Sequence, residues 1–282
     1  MVAVLLALAA GVSWGVSDFL GGLNSRHVAL ATVLLVTQCV GLMVLLPLAM
    51  LHGAPLLEPA HVGFAIAGSV SGLIGIASLF RGMAVGSVSI VAPISATGAA
   101  VPVLFGLLRG EQATAIQSVG IVLALLGIVL ASRAPDDESS PSRRLAVGPG
   151  VGLAILAAMG FGGFFVLLHE ASARDVLWAG VIQRLTGVVI MLALALWLRP
   201  SLAAARRRAA ALVTSGTLDT AANILYASSS VLGLVSLAAV LASLYPVITV
   251  ILARFFLQER LSRGQLLGVV CALAGVACIA LQ

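Results

Sequence analysis

Asp219, Asn223 and Tyr226 stand at i, i+4 and i+7, so a helix through them carries a carboxylate, an amide and a phenol on one face. Such a trio suits a zwitterion or a polyol: the carboxylate takes an ammonium or hydroxyl, and the amide both donates and accepts. The plainer alternative is bonding to neighbouring helices, as small polar residues often do in apolar surroundings. Asp18 lies one turn after Trp14, with Ser17 beside it. The indole offers a flat face for stacking or for a cation, and the carboxylate can carry a proton or sit as an acid at a membrane edge. Arg184 follows Gln183. Its guanidinium can grip a substrate carboxylate bidentately or neutralise Asp219 or Asp18, and both readings stand. Tyr245 precedes Pro246, which removes a helical hydrogen bond and loosens the backbone there; Pro93 and Pro102 do the same upstream. Together Trp14, Ser17, Asp18, Arg184, Asp219, Asn223, Tyr226 and Tyr245 are the candidate substrate-binding residues.

The elements that must hold them are long and apolar. Stretches near 2–22, 29–51, 61–80, 84–108, 115–133, 147–168, 176–198, 209–229, 232–257 and 263–281 each approach the roughly 20 residues needed to cross a bilayer. The chain is 61% hydrophobic and 9% charged, which excludes a water-soluble core. Uninterrupted runs of this length span as helices, because a barrel strand would alternate. An ionisable side chain at mid-bilayer costs about 2.5–3.5 kcal/mol on insertion scales, so Asp219, Arg184 and Asp18 point to a cavity or to partners.

Fifteen Arg and no Lys give a net charge of +5. They are scattered among loops, which argues against nucleic acid. Between the expected spans, odd-numbered loops hold twelve Arg and even-numbered loops two, Arg109 and Arg174. By the positive-inside rule the odd loops are cytoplasmic and both termini outside. Cys39, Cys271 and Cys278 read as small buried hydrophobes, and His27, His52, His61 and His169 fall at loops or helix ends, so no metal site and no cofactor is expected. The first apolar run lacks a preceding positive charge and reads as a helix rather than a signal peptide.

The chain is also duplicated. Residues 110–131 align with 258–279, so that Glu111 meets Glu259, Gly120 meets Gly268 and Gly127 meets Gly275. A register one residue different pairs Gly86, Val88 and Ser89 with Gly233, Val235 and Ser236. Each half, 1–133 and 147–282, therefore holds five helices, and residues 134–146 form a hydrophilic linker. Because five is odd, the second half enters from the opposite side and the repeats are inverted. The first-half positions matching Asp219, Asn223 and Tyr226, near Gly72, Ile76 and Leu79, lack polar groups of that kind, so the site is asymmetric.

Ser243-Leu244-Tyr245-Pro246-Val247-Ile248-Thr249, then Leu257-Gln258-Glu259-Arg260-Leu261, Gln265 and Gly268, closely resembles the end of the repeat in the EamA family of the drug/metabolite transporter superfamily. Trp14-Gly15 with Asp18-Phe19 resembles the opening of that family's first helix. The resemblance covers the whole chain. It implies an all-α integral membrane protein of ten helices, two inverted five-helix repeats around a central cavity, with the first, third, fourth, sixth, eighth and ninth helices lining it and the fifth and tenth outside. It implies a secondary transporter of a small polar metabolite, an amino acid or similar, exported across the inner membrane by alternating access. Without Lys there is no P-loop to hydrolyse ATP, and no nucleophile–base pair or His-Glu-x-x-His suggests an enzyme. A lipid flippase or a structural membrane subunit is the alternative. The expected partners are a small-molecule substrate and membrane lipid. Asp219 and Asp18 are the carboxylates placed for proton coupling, and nothing in the sequence sets an oligomeric state.

Overall fold

The computed structural model describes residues 1–25, 27–85, 91, 94–131, 149–198, 203–256 and 262–280. The expected linker 134–146, Pro93 and Glu259 lie outside them. The first half contains α1 (Val2–Ser25), α2 (Leu30–His52), α3 (Pro59–Val85), a 3-10 turn (Thr97–Ala99) running into α4 (Ala100–Leu108), and α5 (Ala115–Ala131). The second half contains α6 (Pro149–Ser172), α7 (Val176–Leu198), a short helix Ala203–Arg207, α8 (Ala209–Leu232), α9 (Val235–Ala242), α10 (Tyr245–Phe256) and α11 (Arg263–Ala280).

Local chemistry sets the ends. α2 stops at Gly53, whose φ of 69° is left-handed. α7 starts where Asp175 Oδ1 accepts the Trp178 N–H at 2.7 Å. The last helix of each repeat opens with the same reciprocal cap. Thr114 and Gln117 exchange side-chain and backbone hydrogen bonds at 2.9 and 3.2 Å before α5, and Ser262 and Gln265 do so at 2.9 and 3.2 Å before α11. These positions are equivalent in the register that aligns Glu111 with Glu259.

Among the described residues, five helical stretches are long and apolar enough to cross a membrane: Val2–Gly21, Leu30–His52, Pro59–Gly82, Gly150–Ser172 and Val176–Leu198. α5 and α11, with 17 and 18 residues, rise about 26 and 27 Å, close to the ~30 Å hydrocarbon core. α8 is long enough at 24 residues but too polar to stand alone in lipid, because it carries Thr214, Ser215, Thr217, Asp219, Thr220 and Asn223. Its Ser215, Thr220 and Asn223 are buried, and it packs chiefly against α1, α2 and α9. The ninth expected span is not one helix: it breaks at Ser243–Leu244, just before Pro246, into α9 and α10. Its counterpart stays helical near the equivalent place but tightens there, at Thr97–Ala99, into 3-10 geometry.

Two-fold symmetry is visible in the packing. α1 packs on α8, and its repeat-related copy, α6, packs on α3; α2 pairs with α7, and α5 with α11. Along α5 and α11, Gly120 faces Gly275 while Gly127 faces Gly268 and Ala272, so the two equivalent helices run antiparallel, as inversion requires. A Cβ at Gly120 would stand 2.8 Å from the Gly275 carbonyl oxygen, so small residues set this approach. Neither helix contributes to the central cavity. Large apolar side chains such as Leu51, Leu108 and Trp197 point outward, the arrangement suited to lipid.

Candidate functional site

A cavity of about 390 Å³ lies between the two halves. On α1, α2, α3 and α8 its lining runs from mid-helix towards the odd-numbered loops: Trp14 to Gly21, Gln38 back to Leu30, Ser69 to Phe80, and Asn223 back to Ser215. α6 and α7 meet it near their midpoints, through Phe161, Phe164, Phe165, Gln183 and Arg184, and Tyr245 reaches it from α10.

α7 and α8 place the central ion pair. Arg184 Nη2 stands 2.6 Å from Asp219 Oδ2, with the two side chains 3% and 24% exposed. The contact is ionic and off the hydrogen-bonding direction, since Nη2 has no satisfactory acceptor. Arg184 Nη1 donates to Gln38 Oε1 at 3.1 Å, which ties α7 to α2. Gly41 makes the room: a Cβ there would stand 2.7 Å from Arg184 Cδ. Of the two acids open to Arg184, the structure pairs it with Asp219 rather than Asp18. A buried pair of this kind balances desolvation against attraction, and removing one member leaves an uncompensated charge.

Asn223 donates to Asp219 Oδ2 at 3.5 Å, and its own Oδ1 is buried without a partner, as is Gln183 Nε2. Both residues line the cavity beside the ion pair, with these two atoms covered rather than open to it. Asp18 is exposed and makes no hydrogen bond or ion pair among the described residues. Among the described residues the ionisable side chains of the lining are Asp18, Arg184 and Asp219; the last two pair, which leaves Asp18 as the acid without a counter-ion.

Below that charge is a floor of rings. Trp14 packs edge-on against Phe164, Phe165 and Tyr245 at centroid distances of 6.2, 5.6 and 6.3 Å, and tilted on Tyr226 at 5.9 Å. Tyr226 is the exception among the expected site residues. It is fully buried, absent from the lining, and its hydroxyl donates to the Phe165 carbonyl at 2.8 Å. The polar face of α8 is thus divided: its first two members meet the cavity and the third bonds to α6. Ser17 lines the cavity but spends its hydroxyl on Ser215, donating to the Ser215 carbonyl at 2.9 Å while Ser215 Oγ donates to the Ser17 carbonyl at 3.1 Å.

Gln38, Ser69 and the α6 rings were not among the candidates. Phe161, Phe164 and Phe165, at i, i+3 and i+4, did carry a signal as one aromatic face. Gln38 had a subtler one, since Thr37-Gln38 aligns with Gln183-Arg184 between the repeats. Among the described residues no cluster of His, Cys, Asp or Glu could hold a metal ion.

The model of the EamA-like transporter family matches residues 1–133 and 148–281. One crystal structure, described without a function, is similar with a TM-score of 0.80 at 18% identity, covering 99% of this chain and 96% of its own, a likeness of fold. No curated protein matches the chain.

Proposed function

Since the chain belongs to the EamA-like transporter family, we propose that it is a secondary carrier for a small polar metabolite presenting an ammonium group, an amino acid or other amine. The observation that carries this reading is Asp18, an unpaired carboxylate in a cavity whose other two charges neutralise each other. Rings of Trp14 and Tyr245 nearby add a cation-favouring surface. The Gln183 and Asn223 amides of the lining then suit the substrate's second polar group.

The cavity extends towards the odd-loop face, which the Arg distribution assigns to the cytoplasm of the inner membrane, so loading occurs from inside and the direction is export. A proton and an ammonium compete for one carboxylate, so export of the amine is balanced by inward proton movement. Asp18 fits this role better than Asp219, which is held by Arg184. The absence of Lys leaves no P-loop, and a gradient supplies the energy. Neither an enzyme nor a lipid flippase is needed to explain these groups.

Thermal stabilisation of the purified protein by a panel of amino acids, amines, sugars, nucleosides and short-chain lipids tests the reading, because a ligand that binds only the folded state raises its stability. Amines are expected to raise the melting temperature of the parent and not of Asp18→Asn. Stabilisation by sugars, nucleosides or lipids alone, unchanged in Asp18→Asn, would refute it.

A further inference from the structure

The face opposite the cavity is tied across the two halves by groups the site does not use. At one point His52 Nε2 lies 3.8 Å from Asp175 Oδ2, and Trp178 Nε1 donates to the Ala54 carbonyl at 3.1 Å. At a second, Arg109 Nη2 meets Glu170 Oε1 at 2.9 Å, its guanidinium 5.0 Å above the Phe105 ring. The third tie is the most built. Glu111 Oε1 accepts the Val235 N–H, while Oε2 accepts the Ser236 N–H at 3.2 Å and the Ser236 hydroxyl at 2.6 Å.

Two features mark this third contact as specific. α9 has Leu234 at its N-cap, a residue with no side-chain acceptor, so its first amides are satisfied by a carboxylate from the other half of the chain. Glu111 is also held in place by its own backbone. Its N–H donates to the Gly106 carbonyl at 2.9 Å and the Gly110 N–H to the Leu107 carbonyl at 3.1 Å, with Gly110 left-handed at φ 83°. That is a Schellman closure of α4. Gly106 leaves the space that the Glu111 carboxylate fills.

We propose that Glu111 is a latch: its cap on α9 holds the even-loop face shut and keeps the cavity facing the odd loops. α4 ends and α9 begins on that face, one from each half, so an opening between the halves there must pull the carboxylate from the α9 amides. Exchanging three charge-assisted bonds for water sets part of the free-energy difference between the two facing states. Glu111 is outside the cavity lining, as are Val235 and Ser236, and is a positioning residue. The inference rests on alternating access and is independent of what the carrier moves.

The test is the sidedness of a cavity cysteine. Thr37→Cys, in a background with Cys39, Cys271 and Cys278 replaced, is labelled by a membrane-impermeant maleimide in vesicles of each orientation; Arg206→Cys marks the odd-loop side. The parent should label from the odd-loop side. Glu111→Ala should raise the ratio of even-side to odd-side labelling about tenfold or more. Ser236→Ala, which removes one of the three bonds and keeps the backbone cap, should move it less in the same direction. Gly110→Ala, strained at a left-handed position, should act like Glu111→Ala. Unchanged sidedness in folded Glu111→Ala, or in folded Ser236→Ala and Gly110→Ala if the first does not fold, would reduce Glu111 to a stabilising cap and overturn the proposal. Equal labelling from both faces in the parent would overturn the latch and alternating access together. Amine stabilisation of the parent with unchanged sidedness would sink the latch alone.

Discussion

The α1–α8 and α3–α6 seams are one helix contact made twice by the internal two-fold, and they have diverged in chemistry. Along α1–α8, Ser17 and Ser215 exchange bonds with each other's carbonyls, and Ser229 Oγ donates to the Ala3 carbonyl at 2.7 Å. Asp18, Asp219 and Asn223 open from this seam into the cavity. Along α3–α6, Gly72 lies under Phe164 and Gly75 under Phe161, and the hydrogen bond given across it is Ser71 Oγ to the Gly160 carbonyl at 2.8 Å. A duplicated frame can keep its backbone geometry while the acids and the Asn223 amide that open into the cavity gather on one copy and the phenylalanines of the lining on the other.

Breaking the central pair has the largest expected effect. Arg184→Gln leaves Asp219 without its cation and should destabilise the protein by roughly 3–5 kcal/mol, with most of the loss recovered in the double variant Arg184→Gln/Asp219→Asn; denaturant unfolding in detergent measures both. A single-variant loss that the double variant does not recover would mean that Arg184 acts through packing rather than charge. Next comes the apolar seam. A Cβ at Gly160 would stand 2.6 Å from the Gly75 Cα, backbone that cannot swing aside, so Gly160→Leu should cost about 3 kcal/mol or prevent assembly. A monodisperse, fully stable Gly160→Leu on size-exclusion chromatography would show that the seam yields.

Smaller effects belong to the polar ties. Ser17→Ala should cost about 1 kcal/mol and leave amine binding intact, because its hydroxyl serves Ser215 rather than the cavity. Tyr226→Phe should cost about 0.6 kcal/mol, the loss of one interhelical bond to the Phe165 carbonyl, with the ring stack preserved. A large loss of transport in Tyr226→Phe without loss of stability would return Tyr226 to the site.

Much of the frame was legible because lipid leaves few options. Apolar runs must be helices, and Glu111/Glu259 with Gly120/Gly268 expose the duplication in the sequence itself. Pro246 flagged the break that separates α9 from α10. The short helix Ala203–Arg207 escaped, since its Arg residues read as loop. Spacing on α8 placed Asp219, Asn223 and Tyr226 on one face, but a helical face is wide, and which neighbour each meets depends on α6 and α7. The Phe165 carbonyl that takes Tyr226 is a backbone group, with no mark in the sequence. Arg184 had two chemically sound partners, and the choice rests on the distance to Asp219.

The most direct measurement is calorimetric binding of phenethylamine and of its uncharged counterpart 2-phenylethanol to the parent and to Asp18→Asn. Asp18 makes no hydrogen bond or ion pair among the described residues, so the variant should fold as the parent does. Phenethylamine should bind the parent and lose about 30-fold or more in Asp18→Asn, in line with removing one partner of a partly desolvated charge pair, while 2-phenylethanol binds neither appreciably. Equal amine affinity in the two proteins, or equal affinity of the parent for amine and alcohol, would contradict Asp18 as the ammonium site.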